Sequence, residues 1–421
     1  MILKKQLLKY FKGALLKNSV ILMVASLIGA LFSFVFWIIV AHSFRTEIVG
    51  LATTLLSVAS LLSLLGLAGF DTIFIRFLAK SKSRNEHINS GLIIAGVVSS
   101  FIAGLFCLLV PLISPKLSFV SHNPEYVLAF IVVTVFMTWN ILTNAILIAY
   151  RRTSFVLVIN LIFSVLKISL PFIIRSGGPM TIVVFVGISQ IVNVILSVAV
   201  LMKYFSYRPA IKINFGLVFE TLHYSSAMYA SNILNLLPDS ALPIIIVDKI
   251  GATAAAYFYI AFSIANLIYT IIFSTNQVLL AEISHDGKNF MKHMKDGSLI
   301  ILSISVPVII LAIIFCPIIL SLFGHAYRDG ATSILRILAI SGFAVMAYTA
   351  LGIIFKFKKD LKAMLTMVTV NAVVIIVLSM LLVKTQGLNG IGYAWLIGSV
   401  VAAGTGCIFL PRNISKKTTL S

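Results

Sequence analysis

The chain has 421 residues, of which 60% are hydrophobic and 10% are charged, and its formal net charge is +20. Soluble domains carry about 45–50% apolar and about 25% charged residues, so this composition excludes a soluble globular enzyme and a disordered chain. A positive charge of this size would indicate nucleic-acid binding on a soluble protein, whereas on a membrane protein the positions of the charges decide its meaning.

Apolar stretches follow one another along the whole chain. A bilayer core requires about 20 apolar residues for each helical span, and twelve stretches meet this requirement. The predicted spans are 18–41, 49–75, 90–112, 126–149, 154–174, 179–202, 222–247, 253–280, 297–322, 331–354, 364–383 and 390–409. The first stretch is longer than the 7–15 apolar residues of a cleavable signal peptide. We therefore predict an all-α polytopic membrane protein with twelve transmembrane helices.

The basic residues are concentrated in alternate loops. With the N-terminus in the cytoplasm, 24 of the 32 Lys and Arg residues lie inside, six lie outside and two lie within spans. Short cytoplasmic loops of membrane proteins carry such an excess of Lys and Arg. The pattern predicts a multi-pass protein of the plasma (inner) membrane with both termini cytoplasmic. The positive charge is thus mostly a topology signal, and no nucleic-acid partner is expected.

The chain divides into two halves. Each begins with a long span, a very short outer turn and a small-residue entry to the next span (Val49-Gly50-Leu51 and Ala254-Ala255-Ala256). Six spans separate the copies, which predicts two six-helix lobes related by a parallel pseudo-two-fold, an architecture common among transporters; chance similarity between apolar helices is the alternative. The predicted segments are a basic cytoplasmic or interfacial segment 1–17, lobes 18–202 and 217–409, a cytoplasmic linker 203–216 and a basic tail 410–421.

Sequence motifs of enzymes and metal sites are missing. The chain has no P-loop, no Gly-x-Ser-x-Gly and no His/Cys cluster with metal spacing. Cys107, Cys316 and Cys407 lie within predicted spans, where cysteine usually behaves as a small apolar residue. The outer loops are short, which leaves little material for a catalytic domain. We predict a secondary transporter rather than an enzyme, without cofactor or metal.

One stripe of predicted span five is polar. Asn160, Ser164, Lys167 and Pro171 are spaced i, i+4, i+7 and i+11, which places them on one helix face. Ionisable groups inside a bilayer are costly and usually face a cavity or a partner. We predict that Asn160, Ser164 and Lys167 line a substrate cavity. The alternative is that Lys167 extends to the outer interface.

Predicted span seven combines a polar face with prolines. Ser225, Tyr229, Asn232 and Asp239 share this face, and Pro238 and Pro243 flank the aspartate. Proline removes a backbone donor and bends a helix. We predict cavity roles for Tyr229, Asn232 and Asp239, and a gate or hinge at the two prolines. The alternative is a structural kink in which a neighbour satisfies Asp239.

Span eight carries a longer polar stripe, formed by Tyr259, Ser263, Asn266, Thr270, Ser274 and Gln277. It predicts a cavity wall that includes Asn266 and Thr270, although such stripes also join helices. Arg336 in span ten is a further cavity candidate, or it extends to the nearby outer surface.

Charged and small residues near helix ends supply further candidates. Arg76, Arg151 and Arg152 lie at inner ends of spans and are candidates for capturing phosphate, or they are topology charges only. Gly29 belongs to a small-residue face of span one that also contains Ser26, Ala30, Ser33 and Trp37. This face predicts either close helix packing or a sliding gate against span seven.

The amino-terminal part resembles a known family. It reads AHSFRTEIVGLATTLLSVASLLSLLGLAGFDTIFIRFLAKSKSRNE, with Gly50 in the outer turn, Leu65-Gly66-Leu67 and an Ile75-Arg76-Phe77-Leu78 exit. These features look like the signature of prokaryotic polysaccharide and O-antigen flippases, which belong to the multidrug/oligosaccharidyl-lipid/polysaccharide exporter superfamily. The second half is similar, with Asp239, Gly251 and Tyr257 at matching places.

The resemblance implies a V-shaped two-lobed carrier that works by alternating access. The implied substrate is a polyprenyl-(pyro)phosphate-linked oligosaccharide moved from the inner to the outer leaflet, and spans one, two, seven and eight would frame the lateral gates. Expected partners are this substrate, membrane lipids, glycan-assembly enzymes and a coupling ion, H⁺ or Na⁺. Lys167 would offset the (pyro)phosphate charge, and polar stripes would bind the sugars.

Three other functions stay open. A cation-coupled multidrug exporter of the same superfamily commonly has an acidic residue in its first spans, and span one here has none. Asp71 lies near the inner surface, so Asp239 is what supports this alternative. A membrane glycan polymerase or ligase is disfavoured by the short outer loops. A non-transporting scaffold would leave the polar stripes without a purpose.

Overall fold

The computed structural model of the chain describes residues 14–81, 83–174, 176–211, 213–285, 290–358 and 360–410. The part of the chain so described is helical and contains no strand. Its helices, in chain order, are α1 (Ala14–Ser43), α2 (Thr46–Gly66), α3 (Phe70–Phe77), α4 (Arg84–Ile113), α5 (Phe119–His122), α6 (Pro124–Ala149), α7 (Thr153–Ile173), α8 (Pro179–Phe205), α9 (Phe215–Lys249), α10 (Ala252–His285), α11 (Phe290–Ser321), α12 (His325–Lys358) and α13 (Leu361–Phe409). Two 3₁₀ turns, Leu78–Lys80 and Pro115–Leu117, complete the described elements.

Ten helices of the described chain are long and apolar enough to cross a membrane. They are α2, α4 and α6 to α13. In α1, the apolar part with described side chains is Ile28–Ser43. The all-helical membrane fold predicted from composition is therefore confirmed. The predicted segment 1–17 and the tail 410–421 lie almost entirely outside the described residues.

The second predicted span is wrong as a single helix. Residues 49–75 were expected to be continuous, but α2 ends at Gly66 and α3 begins at Phe70. The break is at Ala68 and Gly69, whose φ angles are 47° and 81°. This left-handed conformation interrupts the helical hydrogen bonds and is costly for alanine. Consequently Asp71 and Arg76 lie on the separate helix α3.

Helix α13 reverses its direction partway along its length. Gly387 has φ 56° and ψ −134°, which is not helical. A Cβ on Gly390, Gly398 or Gly406 would meet Leu382, Ile375 or Met367 respectively. The partner number falls as the glycine number rises, so residues 361–386 and 388–409 form two antiparallel arms. Glycines at every eighth position allow the arms to approach closely.

The described residues cluster into two compact units. Unit 1 contains the described chain up to Phe44 and Leu55–Tyr229, and unit 2 contains Arg45–Thr54 and the described chain from Ala230. In unit 1, α1 packs on α7, α4 packs on α6, and α6 packs on α8. In unit 2, α12 lies in the middle and packs on α10, α11 and α13.

The segment that follows α8 is fixed to unit 1 by hydrogen bonds. The Tyr207 hydroxyl donates to Asn89 Oδ1 at 2.6 Å, and Asn89 Nδ2 donates to the Arg208 carbonyl at 3.2 Å. The Asn214 amide N–H donates to Ser90 Oγ at 2.9 Å. Tyr207 and Asn89 are both buried. Tyr207, Arg208 and Asn214 therefore lie against the start of α4.

Candidate functional site

Lys167 is the buried cation of unit 1. Its side chain is on α7 with a relative exposure of 8%, and Nζ lies 3.4 Å from Ser33 Oγ on α1. Nζ also lies 4.9 Å from the ring centre of Phe36 and 5.4 Å from that of Phe163, distances typical of cation–π contacts. No described carboxylate pairs with it. One hydroxyl and two aromatic rings leave most of its hydrogen-bonding capacity unused, because an ammonium group carries three donors.

Open space lies on the α1 face that carries Ser33. A Cβ built on Gly29 would meet nothing within 4 Å. Gly29 and Ser33 are four residues apart and so lie one above the other on the helix. The structure therefore shows room beside Ser33, one turn from the contact with Lys167. No described residue lies within 4 Å of this Cβ, and the choice between a packing face and a sliding gate stays a prediction.

The other polar residues of the α7 stripe point the same way as Lys167. Ser164 is buried, with 3% exposure, and Asn160 is half-buried. Asn160 Oδ1 accepts a hydrogen bond from Asn193 Nδ2 of α8 at 3.0 Å, and Ser197 Oγ donates to Asn193 Oδ1 at 3.4 Å. The predicted stripe is thus directed into unit 1 and is joined there to α8.

A second polar group in unit 1 was missed by the sequence analysis. Asn144 Nδ2 donates to Asn140 Oδ1 at 2.7 Å, and Asn140 Nδ2 donates to Gln190 Oε1 at 2.7 Å. We name these three side chains the carboxamide row. A sequence signal existed, since Asn140 and Asn144 are spaced i, i+4 on α6, and Gln190, Asn193 and Ser197 are spaced i, i+3, i+7 on α8. The partnership between the two helices carries no local signature.

Asp239 is the corresponding acidic residue in unit 2. It lies half-buried on α9, close enough to interact electrostatically with Tyr269 of α10. No described basic side chain pairs with it. Pro238 and Pro243 are buried on either side, and α9 continues through both of them from Phe215 to Lys249.

Helix α10 has two polar faces, the predicted stripe and a neighbouring face. Tyr259, Ser263, Asn266, Thr270 and Ser274 are half-buried, and Thr270 Oγ1 donates to the Asn266 carbonyl at 2.7 Å; the Gln277 side chain lies outside the described residues. The neighbouring face holds α10 to α12. Tyr269 OH donates to the Leu338 carbonyl at 2.7 Å, and Asn276 Nδ2 donates to Thr349 Oγ1 at 2.8 Å. Helix joining therefore uses Tyr269 and Asn276, which lie on the face next to the predicted stripe.

Three other cavity candidates have different surroundings. The Tyr229 hydroxyl donates to the carbonyls of Leu65 at 2.6 Å and Leu64 at 3.2 Å. Carbonyls in the last turn of a helix lack N–H partners, so Tyr229 satisfies the end of α2. Asn232 and Arg336 are both exposed, and Arg336 interacts with the Cys316 thiol of α11. Among the described residues of unit 2, no hydrogen bond or ion pair joins Asn232 or Arg336 to Asp239; the Ser225 side chain lies outside the described residues.

The basic residues predicted to capture phosphate are at one end of unit 1. Arg76, Arg151 and Arg152 are exposed, and Arg76 lies 5.5 Å from the Phe77 ring centre. Arg151 and Arg152 lie in the turn that follows α6. Arg151 has φ 57°, its N–H donates to the Ile148 carbonyl, and the Arg152 N–H donates to the Leu147 carbonyl. This hydrogen-bond pattern usually has glycine at the left-handed position, so the arginine costs about 1 kcal/mol there.

Aromatic residues surround this basic end. Tyr150 stacks on Phe205 with ring centres 4.5 Å apart, and the Arg84 guanidinium lies 6.0 Å from the Tyr150 ring centre. Burial raises the pKa of the Tyr150 hydroxyl, an effect opposed by the charge of Arg84. Among the described residues, no group of three or more His, Cys, Asp or Glu side chains could hold a metal ion.

Two family models match the sequence. Residues 15–285 match the family described as polysaccharide biosynthesis protein. Residues 251–418 match the family described as putative exopolysaccharide exporter (EPS-E). Together the two matches cover nearly the whole chain. No curated protein matches it.

Solved structures share the fold. A lipid II flippase, MurJ, in an inward closed conformation is 14% identical, with a TM-score of 0.75 and coverage of 92% of this chain and 86% of that one. An inward-facing multidrug resistance MATE family transporter of the MOP superfamily is 17% identical, with a TM-score of 0.70 and coverage of 93% and 96%. A MATE structure in a straight conformation is 18% identical, with a TM-score of 0.63 and coverage of 94% of each chain. At these identities the likeness shows the fold alone.

Proposed function

Because the chain belongs to the polysaccharide biosynthesis protein family, we propose that it is a flippase for polyprenyl-(pyro)phosphate-linked oligosaccharide. It moves its substrate from the inner to the outer leaflet by alternating access, and it acts as a transporter rather than as an enzyme. The likeness to a lipid II flippase supports a fold suited to this task. The resemblance read from the sequence agrees with the family match.

The observation that carries the proposal is the Lys167 ammonium group. A cation inside a membrane-spanning unit is costly unless a partner or a cavity compensates it. Here the partners are one hydroxyl and two aromatic rings, and no described carboxylate is among them. Open space next to Gly29 leads to the same α1 face. A phosphate group has the charge that this site lacks, and charge-assisted hydrogen bonds to phosphate are strong.

The topology proposed with this function has twelve spans. The ten candidate helices include α13 as one element, and its reversal at Gly387 supports counting its two arms separately. Helix α1 supplies the first span. The basic end of unit 1 is then cytoplasmic, as are both termini, in the inner membrane. The proposed lobes are 18–202 and 217–409, with the linker 203–216 between them. The boundary between the two units differs from this division, because unit 1 continues to Tyr229 and Arg45–Thr54 belongs to unit 2.

In this topology the exposed arginines have a role at the start of transport. Arg76, Arg151 and Arg152 lie where a lipid-linked (pyro)phosphate would first meet the protein in the inner leaflet. Arginine binds phosphate well because its planar guanidinium presents several donors. These residues capture the headgroup, and Lys167 holds it further inside. Glycan-assembly enzymes are proposed partners on this side.

A second candidate function rests on Asp239. A half-buried carboxylate without a described basic partner is a place where a cation can bind. This would suit a cation-coupled multidrug exporter, and it would equally suit coupling of the flippase to H⁺ or Na⁺. The α10 residues Asn266 and Thr270 and the residues Asn232 and Arg336 stay as proposed contacts on this side.

Reconstitution in liposomes separates the two functions. We expect a fluorescent polyprenyl diphosphate oligosaccharide to cross leaflets in the presence of the protein, with ethidium transport remaining at the level of empty liposomes. The Lys167→Ala variant serves as an inactive control of matched expression. Ethidium export driven by an H⁺ or Na⁺ gradient, together with no movement of the lipid, would replace the flippase by the exporter.

A further inference from the structure

The carboxamide row of unit 1 has no role in the function described so far. Its three amides form a directed chain, from Asn144 through Asn140 to Gln190, across α6 and α8. Each link uses one donor and one acceptor. The row lies beside the Asn160–Asn193 pair, because Gln190 and Asn193 are three residues apart on the same face of α8.

A chain of amides leaves two unused ends. Among the described residues, Asn144 Oδ1 is enclosed without a hydrogen-bond partner. At the other end, Gln190 uses Oε1, and Gln190 is half-buried. Because Asn144 Oδ1 is enclosed, the group that the row offers to a ligand is the N–H₂ donor of the half-buried Gln190. If all three amides are turned over, the two ends exchange roles but both remain.

Helix joining alone does not need three amides. The Asn276–Thr349 bond shows that one amide and one hydroxyl suffice to join two helices in unit 2. An enclosed amide oxygen without a partner is not peculiar to the row, because Asn276 Oδ1 has none either among the described residues. The row differs in its three consecutive amides and in the Gln190 N–H₂, which is left to donate.

We propose that the carboxamide row binds the saccharide part of the lipid-linked substrate, an inference that rests on the proposed flippase function. The row is neutral, which makes it unsuited to an ion, whereas a sugar hydroxyl can accept from the Gln190 N–H₂, or donate to the Gln190 oxygen if the amides are turned over. Asn160 lies seven residues before Lys167, or about 10 Å along α7. A (pyro)phosphate at Lys167 thus places the attached sugars within reach of the amides.

The test compares lipids with and without sugar. Full-length protein in nanodiscs is titrated with polyprenyl diphosphate and with the same lipid carrying a neutral hexose disaccharide or an N-acetylhexosamine disaccharide. We expect at least one sugar-bearing lipid to bind more tightly than the sugar-free lipid. Gln190→Met should reduce that preference about tenfold, the effect of one or two lost hydrogen bonds. Asn144→Leu removes the bond that orients Asn140, and through it Gln190, so it should reduce the preference by a smaller factor. Both variants should leave binding of the sugar-free lipid unchanged.

Asn276→Leu is the matched control, because it removes a helix-joining amide from unit 2. It should leave the sugar preference unchanged. Two results would overturn the inference while the flippase function stands: wild-type protein that binds both kinds of lipid equally, or row variants that weaken both kinds equally. If wild-type protein binds neither lipid, the proposed function itself fails. Thermal unfolding of each variant identifies loss of fold. If one of the two row variants does not fold, the other still tests the inference.

Discussion

Unit 1 encloses a cation and unit 2 contains an anion. Lys167 is surrounded by Ser33, Phe36 and Phe163, and Asp239 lies near Tyr269. In neither unit does a described residue of opposite charge pair with the ionisable group. A structural ion pair would be neutralised within its own unit, since a buried charge without a partner is unfavourable. The contrast supports the proposal of different ligands, an anion at Lys167 in unit 1 and a cation at Asp239 in unit 2.

The hydrogen-bond networks of the two units also differ. In unit 2, Tyr269 and Asn276 join α10 to α12 through hydroxyl and carbonyl acceptors. In unit 1, amides are linked to amides. An amide oxygen is enclosed without a partner among the described residues of both units, Asn144 Oδ1 in unit 1 and Asn276 Oδ1 in unit 2. The difference that supports the proposed substrate site in unit 1 is therefore the run of three linked amides.

The largest effect should follow from Lys167→Ala. Losing a charge-assisted hydrogen bond of about 1.5–3 kcal/mol corresponds to a decrease of about 10–100-fold in affinity for polyprenyl diphosphate. Lipid binding in nanodiscs measures the loss of affinity, and flipping in liposomes measures the loss of transport. Lys203→Ala is the matched control, since Lys203 is exposed at the basic end and lies 5.5 Å from the Tyr204 ring centre. Equal losses in both variants would remove the special role of Lys167.

Asp239→Asn should have the next largest effect. The substitution keeps the shape of the side chain and removes its charge, so we expect the response of flipping to an imposed H⁺ or Na⁺ gradient to disappear. Binding of polyprenyl diphosphate should stay as in the wild type. Asp329→Asn is the control, because Asp329 is 68% exposed and pairs with Arg328 at 3.0 Å. A gradient response that survives in Asp239→Asn would contradict the assignment of a cation to unit 2.

Gly29→Leu should reduce flipping severalfold without loss of fold. Its side chain would extend into open space beside Ser33 and obstruct access to Lys167. Gly404→Leu is the matched control in unit 2, since a Cβ there also meets nothing within 4 Å. Thermal unfolding should be unchanged in both variants. Normal flipping in Gly29→Leu would show that the substrate does not pass this face.

Arg151→Gly should raise the stability of the protein and lower its rate of flipping. Glycine fits the left-handed turn after α6, so the free energy of unfolding should rise by about 1 kcal/mol. Flipping should fall slightly because a capture residue is lost. Ala68→Gly relieves a similar strain, at φ 47°, without removing a charge. That control should gain stability and keep its flipping rate, and a loss of flipping there would assign the effect to the backbone.

The smallest expected effect is that of Tyr207→Phe. Loss of its buried bond to Asn89 should lower the free energy of unfolding by about 1 kcal/mol. Burial raises the pKa of Tyr207 from its ordinary value of 10.0 to about 12. Because the folded state holds the proton more tightly, this contribution is complete below pH 10 and decreases as the pH rises from 10 to 12. Unfolding curves of wild type and Tyr207→Phe should therefore converge over this range.

Sequence patterns predicted the parts of this protein that depend on local spacing. The apolar stretches anticipated most helices, because a span is recognisable from its length and hydropathy alone. The spacing of Asn160, Ser164 and Lys167 anticipated a stripe directed into unit 1. The sequence does not reveal the break after Gly66, because alanine, the residue at position 68, rarely adopts a positive φ. Asn140, Asn144 and Gln190 were missed as a group because their partnership crosses between helices.

The sequence by itself determined the class of protein, the order of its helices and the places of its charges, because these follow from composition and from periodicity along one chain. The tertiary structure decided what surrounds each polar group: two rings and a hydroxyl around Lys167, amide partners in the carboxamide row, and carbonyls for Tyr229. Contacts between residues far apart in the chain depend on how the helices pack. No local pattern encodes them, and they decide whether a polar side chain completes the fold or remains available to a ligand.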